Sequence, residues 1–338
     1  MTDGVRSGGG RHNSDFYALI SPENLLRAWR RFSKGKRTDS EFARFELYLE
    51  ENLFSLHEQL AFGVWTNDPY ERQPIADPKP RIIHVPSVRD RVLFQVVYQE
   101  LYQIFDNTFI HDSYASRERK GTHAGVKQFE VFARKVSTNY TNSAFVLKCD
   151  IRKFFDSIDH RILFSSISHR ITDQNLLTLI HRIISSFEVA PNKGLPLGNV
   201  TSQIFANIYL NVLDQFVKHT LKAPYYIRYC DDFVILDKSR AALMWLIARI
   251  QMFLRDKLLL ELHPRKVSLR KLRQGTDFLG YVSLPHYRVL RTRTRKRMLK
   301  RVNRINLPSY LGLLEHCKGF RTASKIKEML YTRRNEKW

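Results

Sequence analysis

The sequence predicts an α+β fold, and three features of the chain indicate it. Long segments such as "SVRDRVLFQVVYQELYQIF" (87–105) repeat apolar residues at helical spacing. The stretch "YYIRYCDDFVIL" (225–236) joins two apolar runs through a short polar centre, which is typical of a hairpin. Strands and helices alternate without the regular rhythm of parallel βαβ units. The 338 residues, 43% of them hydrophobic, suffice for one large domain or two to three subdomains.

The N-terminal part is predicted to be mostly helical. Residues 1–14 are rich in Gly and Ser and lack an apolar core, so we expect a disordered tail and no signal peptide. Residues 15–62 keep apolar residues at helical spacing, with Ser21 as a helix cap and a stop at Gly63. Four prolines within 70–86 favour a loop with short strands.

The rest of the chain alternates predicted helices and strands. In order they are the helix 87–105, a strand over 142–151 that ends near Asp150, a helix over 201–221, the hairpin 225–236, and a helix that runs into a strand over 241–262. Met298, Leu299 and Val302 form a narrow apolar stripe on a further helix that is otherwise basic.

The charge of the chain predicts a polyanionic partner. The net charge is +23, which leaves nucleic acid or an anionic membrane surface as candidates. Residues 264–338 hold 21 Lys/Arg against 4 Asp/Glu, and "RVLRTRTRKRMLKRVNR" (288–304) is the densest part. A membrane-surface helix needs a broader apolar face, so phosphate contact is favoured over membrane binding and over a merely solvated helix. No apolar run approaches the roughly 18 residues of a membrane-spanning helix.

The cysteines indicate a reducing compartment. Cys149, Cys230 and Cys317 are far apart and form no CxxC pair. This spacing argues against a zinc site and a disulfide framework, and it fits the cytoplasm.

Three aspartates form the candidate reaction centre. Asp150 ends a predicted strand, while Asp231 and Asp232 turn the corner of the hairpin. An isolated Asp pair is most often a simple turn, because Asp favours turns. If the strands are neighbours, however, three carboxylates converge, and such a cluster needs cations to neutralise it. Carboxylate oxygens suit Mg²⁺, and two Mg²⁺ about 4 Å apart can clamp both oxygens of a phosphoryl displacement.

At this point the sequence resembles reverse transcriptases. "YCDD" (229–232) looks like their YxDD box, and "VLKCDIRKFFDSIDH" (146–160) is similar to the box in which an aromatic residue follows the strand-ending Asp by five positions. The remaining boxes follow in order: "PRIIHVPSVRDRV" (80–92), "SYASRERKGTHAGV" (113–126), "GLPLGNVTSQIFANIYLN" (194–211), "LELHPRKVSL" (260–269) and "FLGY" (278–281).

A subfamily resemblance is carried by fewer residues. "GNVTSQ" (198–203) stands where group II intron and retron enzymes usually carry Ser-Pro, and it resembles reverse transcriptases of diversity-generating retroelements. "KGTHAGV" (120–126) and "SYLGLLEH" (309–316) point the same way.

The resemblance implies a right-hand polymerase with fingers, palm and thumb. The expected division is N-terminal helices and fingers over 15–140, a palm with an antiparallel sheet over 141–287, a fingers/palm segment near 160–200 inside it, and a small basic helical thumb over 288–338. The chain shows neither a second acidic cluster of the RNase H kind nor a Cys/His set of the zinc-endonuclease kind. We therefore expect it to copy RNA without degrading the hybrid or cutting the target DNA.

The family's roles carry over to matching positions. Asp150 and Asp231 resemble the metal ligands, with Asp232 as a third carboxylate and the Ile151 carbonyl as a backbone ligand; Lys266 resembles the general acid for pyrophosphate. The expected nucleotide-binding residues are Arg81, Phe155, Leu197, Gly198 and Gln203. The expected nucleic-acid contacts are Arg117, Arg119 and Lys120 of the implied template loop and Arg293, Arg295 and Arg297 of the basic run. A purely structural role remains open for each group. Lys266 could be a solvated surface residue, Phe155 or Phe154 could lie in the core, and Leu197 could pack beneath the pocket. The residues of the implied template loop could form an ordinary basic loop.

The implied activity is RNA-templated addition of dNTPs to a primer 3′-OH with two Mg²⁺. The subfamily resemblance adds a structured RNA template held as an RNA–DNA hybrid, a small basic accessory protein, and errors at template adenines that serve mutagenic retrohoming. A phage-defence or retron-like reverse transcriptase is the alternative within polymerases. The alternative of another class is a non-catalytic RNA-binding module, against which the intact Asp150, Asp231 and Asp232 speak.

Overall fold

The computed structural model describes residues 10–35, 40–76 and 80–335 of the chain. These residues form two compact units. The first unit is drawn from Met1–His111, Ile151–Phe216 and Met252–Glu261, and the second from Asp112–Asp150, Val217–Gln251 and Leu262–Trp338. These units do not define fingers, palm and thumb, so the predicted division into those parts stays a prediction.

Helices and strands are distributed over the whole described chain. The first part comprises α1 (Phe16–Leu19), α2 (Pro22–Phe32), α3 (Ser40–Leu47), α4 (Leu49–Ala61), β1 (Glu71–Ile75), β2 (Arg81–Val85), α5 (Val88–Phe105), α6 (Thr122–Val136), β3 (Phe145–Asp150), α7 (Phe154–Ser157), α8 (His160–Ser168) and α9 (Gln174–Ser185). The second part comprises α10 (Val200–Gln215), β4 (Tyr226–Tyr229), β5 (Asp232–Asp237), α11 (Arg240–Leu258), β6 (Ser268–Lys271), β7 (Thr276–Phe278), β8 (Tyr281–Leu284), β9 (Tyr287–Leu290), α12 (Thr292–Arg301), α13 (Leu307–Glu315) and α14 (Phe320–Asn335).

The N-terminal helices form as their sequence predicts. The Ser21 side chain accepts a hydrogen bond from the Asn24 amide at 3.3 Å and so caps α2. A proline at the first position of α2 supplies a suitable φ where no amide donor is needed. Trp29 on the buried face of α2 stacks on Phe42 of α3 with ring centroids 5.9 Å apart. The short strands predicted within 70–86 are the antiparallel pair β1 and β2.

Two long helices make the core of the first unit. Ser87 caps helix α5, because its side chain accepts a hydrogen bond from the Asp90 amide. Helix α5 packs against α2 and α10. Helix α10 is shorter than the predicted 201–221, because its α-helical pattern ends at Gln215 and continues as a π-helical turn over Phe216–Thr220. The fully buried Tyr209 side chain of α10 donates to the Leu258 carbonyl at 2.6 Å.

A four-stranded antiparallel sheet is the centre of the second unit. Its strand order is β4-β5-β3-β6, and its register pairs Asp150 with Asp232 at one end and Phe145 with Asp237 at the other. Helix α6 packs on β4 and β5 through a buried cluster that includes Phe129, Val146, Val234 and Phe278. The sheet thus confirms the predicted hairpin 225–236 and the predicted strand that ends at Asp150.

The prediction of a helix that runs into a strand over 241–262 is confirmed for the helix and wrong for the strand. Helix α11 stops at Leu258, and Leu259 adopts a left-handed φ of +50°. A left-handed residue cannot continue an α-helix or a ladder, so the chain turns there. The strand that joins the sheet is β6, which pairs with β3 ten residues later.

The C-terminal part of the second unit combines a small sheet with three helices. Strands β7, β8 and β9 form an antiparallel sheet. Met298 and Val302 are buried in a cluster with Tyr281 and Leu314, and Leu299 is packed against it, which confirms the predicted apolar stripe. No helix in the described ranges combines the length and the apolar character needed to cross a membrane.

The predicted disordered tail over 1–14 falls largely outside the described residues, which begin at Gly10. Within the described part, the His12 amide donates to the Arg170 carbonyl at 2.7 Å. The Ser14 hydroxyl donates to Glu100 Oε1 at 2.6 Å. Residues 12 and 14 therefore have defined partners in the first unit.

Candidate active site

One edge of the four-stranded sheet carries three carboxylates. Asp150 is the last residue of β3, and it lies directly opposite Asp232, the first residue of β5. Asp231 belongs to the two-residue turn that joins β4 to β5. Directly opposed residues of an antiparallel pair lie on the same face, about 5 Å apart at Cβ. The structure therefore brings together the three aspartates that the sequence singled out.

The turn that holds Asp231 is supported by a buried arginine. Cys230 adopts a left-handed φ of +55°, which is uncommon for a residue with a side chain. The Arg228 side chain is fully buried, and its guanidinium donates to the Cys230 carbonyl at 3.2 Å and to Ser113 Oγ at 3.1 Å. Arg228 was not predicted from the sequence to belong to the site. The one available signal was a charged residue at an interior position of an apolar strand.

Burial and repulsion from neighbouring carboxylates make Asp231 and Asp232 harder to ionise. Burial, reinforced by the negative charge of Asp150, raises the pKa of Asp231 above its ordinary value. Burial also raises the pKa of Asp232 to about 6, although the Lys148 ammonium pulls in the opposite direction. Each additional positive charge at this edge would therefore stabilise the ionised forms.

Two lysines pair with the carboxylates. Lys266 Nζ lies 2.7 Å from Asp150 Oδ1, and the neighbouring His263 amide donates to the Asp150 carbonyl at 2.7 Å. Lys148 Nζ lies 3.2 Å from Asp232 Oδ2. Lys266 was predicted as a general acid, and the structure places it beside the carboxylates. Lys148 was not predicted to belong to the site.

The carboxylates at this edge are of the chemical type that binds divalent cations. Their arrangement among the described residues is not that of a complete metal site. Among the described residues, no group of three or more His, Cys, Asp or Glu is arranged closely enough to hold a metal ion. Asp232 Oδ1 is nonetheless buried without a hydrogen-bond partner in the described part of the chain. A hard cation prefers such carboxylate oxygens, and it would compensate the charge that burial disfavours. The Ile151 carbonyl, the predicted backbone ligand, directly follows Asp150 in the chain.

Phe154 and Phe155 have different environments in the first unit. The Phe154 side chain is 2% exposed and makes edge contacts with Phe155 and Tyr209 at centroid distances of 5.4 and 6.5 Å. Phe155 is partly exposed, and its carbonyl accepts from the Leu195 amide at 2.9 Å. Phe154 is thus a core residue, while Phe155 is only partly buried.

The predicted nucleotide-binding loop lies against β2 within the first unit. The His84 amide donates to the Leu197 carbonyl at 2.9 Å. Gly198 has a φ of +109°, and a Cβ there would contact Ile83 at 3.4 Å, so a larger residue would be strained. Arg81, at the start of β2, is exposed. The structure therefore brings Leu197 and Gly198 beside the strand that Arg81 begins.

Asn199 adds a feature that sequence reasoning did not single out. It precedes α10 and is 4% exposed, yet its side chain does not cap the helix. Its Oδ1 and Nδ2 are both buried and have no hydrogen-bond partner among the described residues. Gln203, predicted to line the nucleotide, is exposed one turn further along α10.

The predicted nucleic-acid contacts belong to two elements of the second unit. In the loop before α6, Arg117 donates to the Ser113 carbonyl at 3.2 Å, Arg119 is exposed, and Lys120 Nζ lies 5.0 Å from the centre of the Tyr114 ring. Arg293 and Arg295 are exposed on α12, while Arg297 is partly exposed. Both elements present positive charge, in the form that phosphate contact requires.

Comparison with known proteins assigns the chain to a family. The family described as "Reverse transcriptase (RNA-dependent DNA polymerase)" matches residues 74–283. Protein YkfC of Escherichia coli K12 is 24% identical over 71% of this chain and 71% of its own length. The group II intron-encoded protein LtrA of Lactococcus lactis subsp. cremoris is 23% identical over 74% of this chain and 52% of its own length.

A solved structure agrees at the level of fold. Telomerase from Candida albicans, in complex with a TWJ fragment of telomeric RNA, superposes with a TM-score of 0.50 at 11% identity, over 69% of this chain and 50% of that chain. The chain spans about half the length of LtrA and of this telomerase chain.

The chain belongs to the reverse transcriptase family, the RNA-dependent DNA polymerases. This membership confirms the predicted α+β right-hand polymerase fold and the predicted enzyme class. The subfamily, the two metal ions and the individual residue roles remain predictions.

Proposed function

We propose that this protein copies a structured RNA into DNA with low accuracy at template adenines, as the polymerase of a diversity-generating retroelement. The observation that carries the polymerase part is the convergence of Asp150, Asp231 and Asp232 at one sheet edge, where Asp232 Oδ1 is buried without a described partner. A non-catalytic RNA-binding module would gain nothing from three partly buried carboxylates, because their burial costs free energy unless cations compensate it.

Residues at the carboxylate edge supply the chemistry in this proposal. Asp150 and Asp231, with Asp232 and the Ile151 carbonyl, would hold two Mg²⁺. Bound there, the ions would supply stabilisation of negative charge at the primer 3′-OH and on the leaving pyrophosphate. Lys266 carries a proton at Nζ, 2.7 Å from Asp150, and in the proposal gives it to the departing pyrophosphate oxygen.

The residues of the first unit select the substrate in this proposal. The ring of Phe155 lies under the dNTP sugar and leaves no room for a 2′-OH. Arg81 contacts the triphosphate, and Leu197, Gly198 and Gln203 line the nucleotide. In the second unit, the contacts that hold the RNA template and the RNA–DNA hybrid through phosphates are made by Arg117, Arg119, Lys120 and the arginines of α12.

The retroelement assignment is supported by the sequence boxes rather than by the fold. "GNVTSQ" (198–203) lacks the Ser-Pro of intron and retron enzymes, and Leu197 stands where accurate retroviral relatives carry Gln. The proposal includes a small basic accessory protein and a reducing, cytoplasmic location. The three cysteines, which are free, are compatible with that location.

The similarity to LtrA favours a second candidate, a reverse transcriptase of the group II intron type. Such an enzyme would share the reaction and the site residues. It would differ in copying all four template bases with similar accuracy. The two candidates therefore separate on the error spectrum and not on activity alone.

The test is primer extension by the purified full chain on an RNA template that contains all four bases, followed by sequencing of the cDNA. We expect Mg²⁺-dependent extension with misincorporations concentrated opposite adenine. An even error spectrum would favour the intron-type candidate. Absence of extension, with RNA binding intact, would overturn the polymerase proposal.

A further inference from the structure

Lys148 makes two contacts that connect the carboxylate edge to another part of the second unit. Its Nζ lies 3.2 Å from Asp232 Oδ2 and donates to the Asp277 carbonyl of β7 at 2.8 Å. An ammonium group has three donors, so both contacts can be made at once. The side chain is 21% exposed, which limits the competition of water for these donors.

The position of Lys148 on β3 explains why it reaches Asp232. Lys148 pairs with Val234 of β5 and with Ser268 of β6, so it lies at an interior strand of the sheet. Asp232 is two residues before Val234, on the same face and on the diagonal from Lys148. On that face Val146 belongs to the buried cluster, so Lys148 separates the apolar core from the carboxylates.

The second anchor of Lys148 leads to the basic helix α12. The Asp277 carboxylate accepts from Arg291 Nε at 2.7 Å, and the Arg291 amide donates to the Gly280 carbonyl at 3.0 Å. Arg291 is the residue from which α12 begins. The hairpin formed by β7 and β8 is therefore tied on one side to Lys148 and on the other to the start of α12.

We propose that Lys148 is a positioning residue that holds the Asp232 carboxylate and the β7–β8 hairpin in a fixed relation. Charge neutralisation alone would not require the bond to the Asp277 carbonyl, because a carbonyl carries no net charge. The same ammonium orients one oxygen of Asp232 and leaves Oδ1 directed elsewhere. A shift of the hairpin is then transmitted to the carboxylate edge through one side chain.

The test compares Lys148→Met and Lys148→Arg with Lys271→Met. Methionine keeps an unbranched side chain as far as Cε and removes the ammonium donors, whereas a guanidinium can still donate to a carboxylate and a carbonyl. Lys271 is an exposed lysine of the same sheet, at the end that pairs with Phe145, and serves as the matched control.

The first readout is amide hydrogen exchange over Thr276–Leu284 in the free protein. We expect Lys148→Met to speed exchange in this hairpin about tenfold or more, as for the loss of a hydrogen bond to a charged group, while Lys148→Arg and Lys271→Met stay near wild type. Equal exchange in Lys148→Met and wild type would overturn the proposal. Equal acceleration in Lys148→Arg and Lys148→Met would do the same.

The second readout is steady-state primer extension, and this arm rests on the proposed polymerase function. We expect Lys148→Met to lower kcat about 10- to 100-fold with KM for dNTP changed less than about threefold, and Lys148→Arg to recover most of kcat. A loss seen in KM alone, or no recovery with Arg, would contradict a positioning role. Inactive wild-type protein would refute the proposed function, while the exchange experiment would still decide the role of Lys148.

Discussion

The carboxylate edge of the second unit and the nucleotide loop of the first unit differ in the kind of side chain they offer. At the edge, Asp231 and Asp232 are carboxyl groups whose ionisation is opposed by burial and by neighbouring carboxylates, and Asp150 is one of those neighbours. The loop offers an aliphatic side chain, Leu197, and helix α7, whose Phe155 carbonyl accepts from the Leu195 amide, adds a partly exposed ring, Phe155. The carboxylate edge can change a reaction rate through charge, whereas these two apolar side chains can only admit or exclude a nucleotide by shape.

This difference predicts unequal consequences of mutation. Electrostatic groups at a reacting phosphate are worth several kcal/mol, because they act where charge develops. Apolar contacts around a nucleotide differ by about 1–3 kcal/mol between similar substrates. Substitutions at the edge should therefore abolish activity, and substitutions in the loop should change which nucleotide is used.

The largest effect is expected for Asp231→Asn. Primer extension should fall about 1,000-fold or more, since an amide holds Mg²⁺ poorly and each 1.4 kcal/mol is about tenfold in rate. RNA binding should stay near wild type. Because burial raises the pKa of Asp231, its ionised form destabilises the fold above that pKa. The variant should therefore melt at the same or a slightly higher temperature near pH 7 without divalent cations.

The matched control is Asp237→Asn, at the opposite end of β5, where the carboxylate accepts from the Ser239 amide. This variant should extend primers at a near-normal rate. Near-normal extension by Asp231→Asn as well would remove Asp231 from the reaction centre and would break the contrast between edge and loop.

The next effect concerns Lys266, which contacts Asp150 and is proposed as a proton donor. Lys266→Met should lower the rate of single-nucleotide addition about 100-fold, as for loss of a general acid. Lys266→Arg keeps a cation beside Asp150, yet it should remain slow, because a guanidinium does not give up its proton near neutral pH. Rapid-quench measurements decide between the two roles: full recovery with Arg would mean that Lys266 only neutralises Asp150.

The sequence alone predicted those site residues whose positions follow from local features of the chain. Asp231 and Asp232 are neighbours in the chain, and Asp150 ends a recognisable strand, so their meeting could be predicted. Lys148 and Arg228 could not be assigned, because their contacts depend on the register between β3, β4 and β5. Alternation along a strand gives only the face on which a side chain lies and not its partner.

The elements were predicted better than their ends. The cap at Ser21 and the apolar spacing of α5 are local signals, and both helices form where expected. The end of α11 depends on the left-handed Leu259, for which no glycine or proline gives a warning. The separate environments of Phe154 and Phe155 likewise follow from the packing of Phe154 against Tyr209, which lies 55 residues further along the chain.

A charge effect of intermediate size is expected outside the reaction centre. Changing Arg293, Arg295 and Arg297 together to Ala should weaken template–primer binding for all sequences. It should also lower the slope of log affinity against log salt by about 2 to 3 units. Fluorescence anisotropy over a salt series measures both.

The control for this triple variant is the equal charge change Arg27, Arg30 and Arg31 to Ala on α2. We expect a smaller change of slope there. If affinity and slope are unaltered in the α12 variant, α12 does not contact phosphates, and charge on this helix has another role.

Shape selection should appear at Phe155. Phe155→Val should reduce the preference for dNTP over NTP about 10- to 200-fold, since the ring is proposed to block the 2′-OH by contact alone. Phe154→Val tests the contrast directly: a truncation in the core should lower stability with selectivity unchanged. Competitive incorporation of the two nucleotides and thermal melting separate these outcomes. Unchanged selectivity in a folded Phe155→Val would assign the sugar contact to another residue.

The smallest effect is expected at Leu197, where only accuracy should change. Its carbonyl is fixed by the His84 amide whatever side chain it carries, so a substitution alters the side chain alone. A Gln amide can donate and accept hydrogen bonds and so hold a correctly paired nucleotide, whereas Leu offers apolar contact only. One net hydrogen bond is worth about 0.5–1.5 kcal/mol, or about two- to twelvefold in discrimination. Leu197→Gln should therefore reduce errors opposite template adenine, where pairing is weak, by about that factor and errors elsewhere by less.

Leu197→Met, which conserves volume and polarity, should leave the spectrum of cDNA errors as in wild type. If Gln and Met give the same spectrum, Leu197 only packs beneath the nucleotide, and the accuracy of copying is set by other residues or by the RNA and its accessory protein.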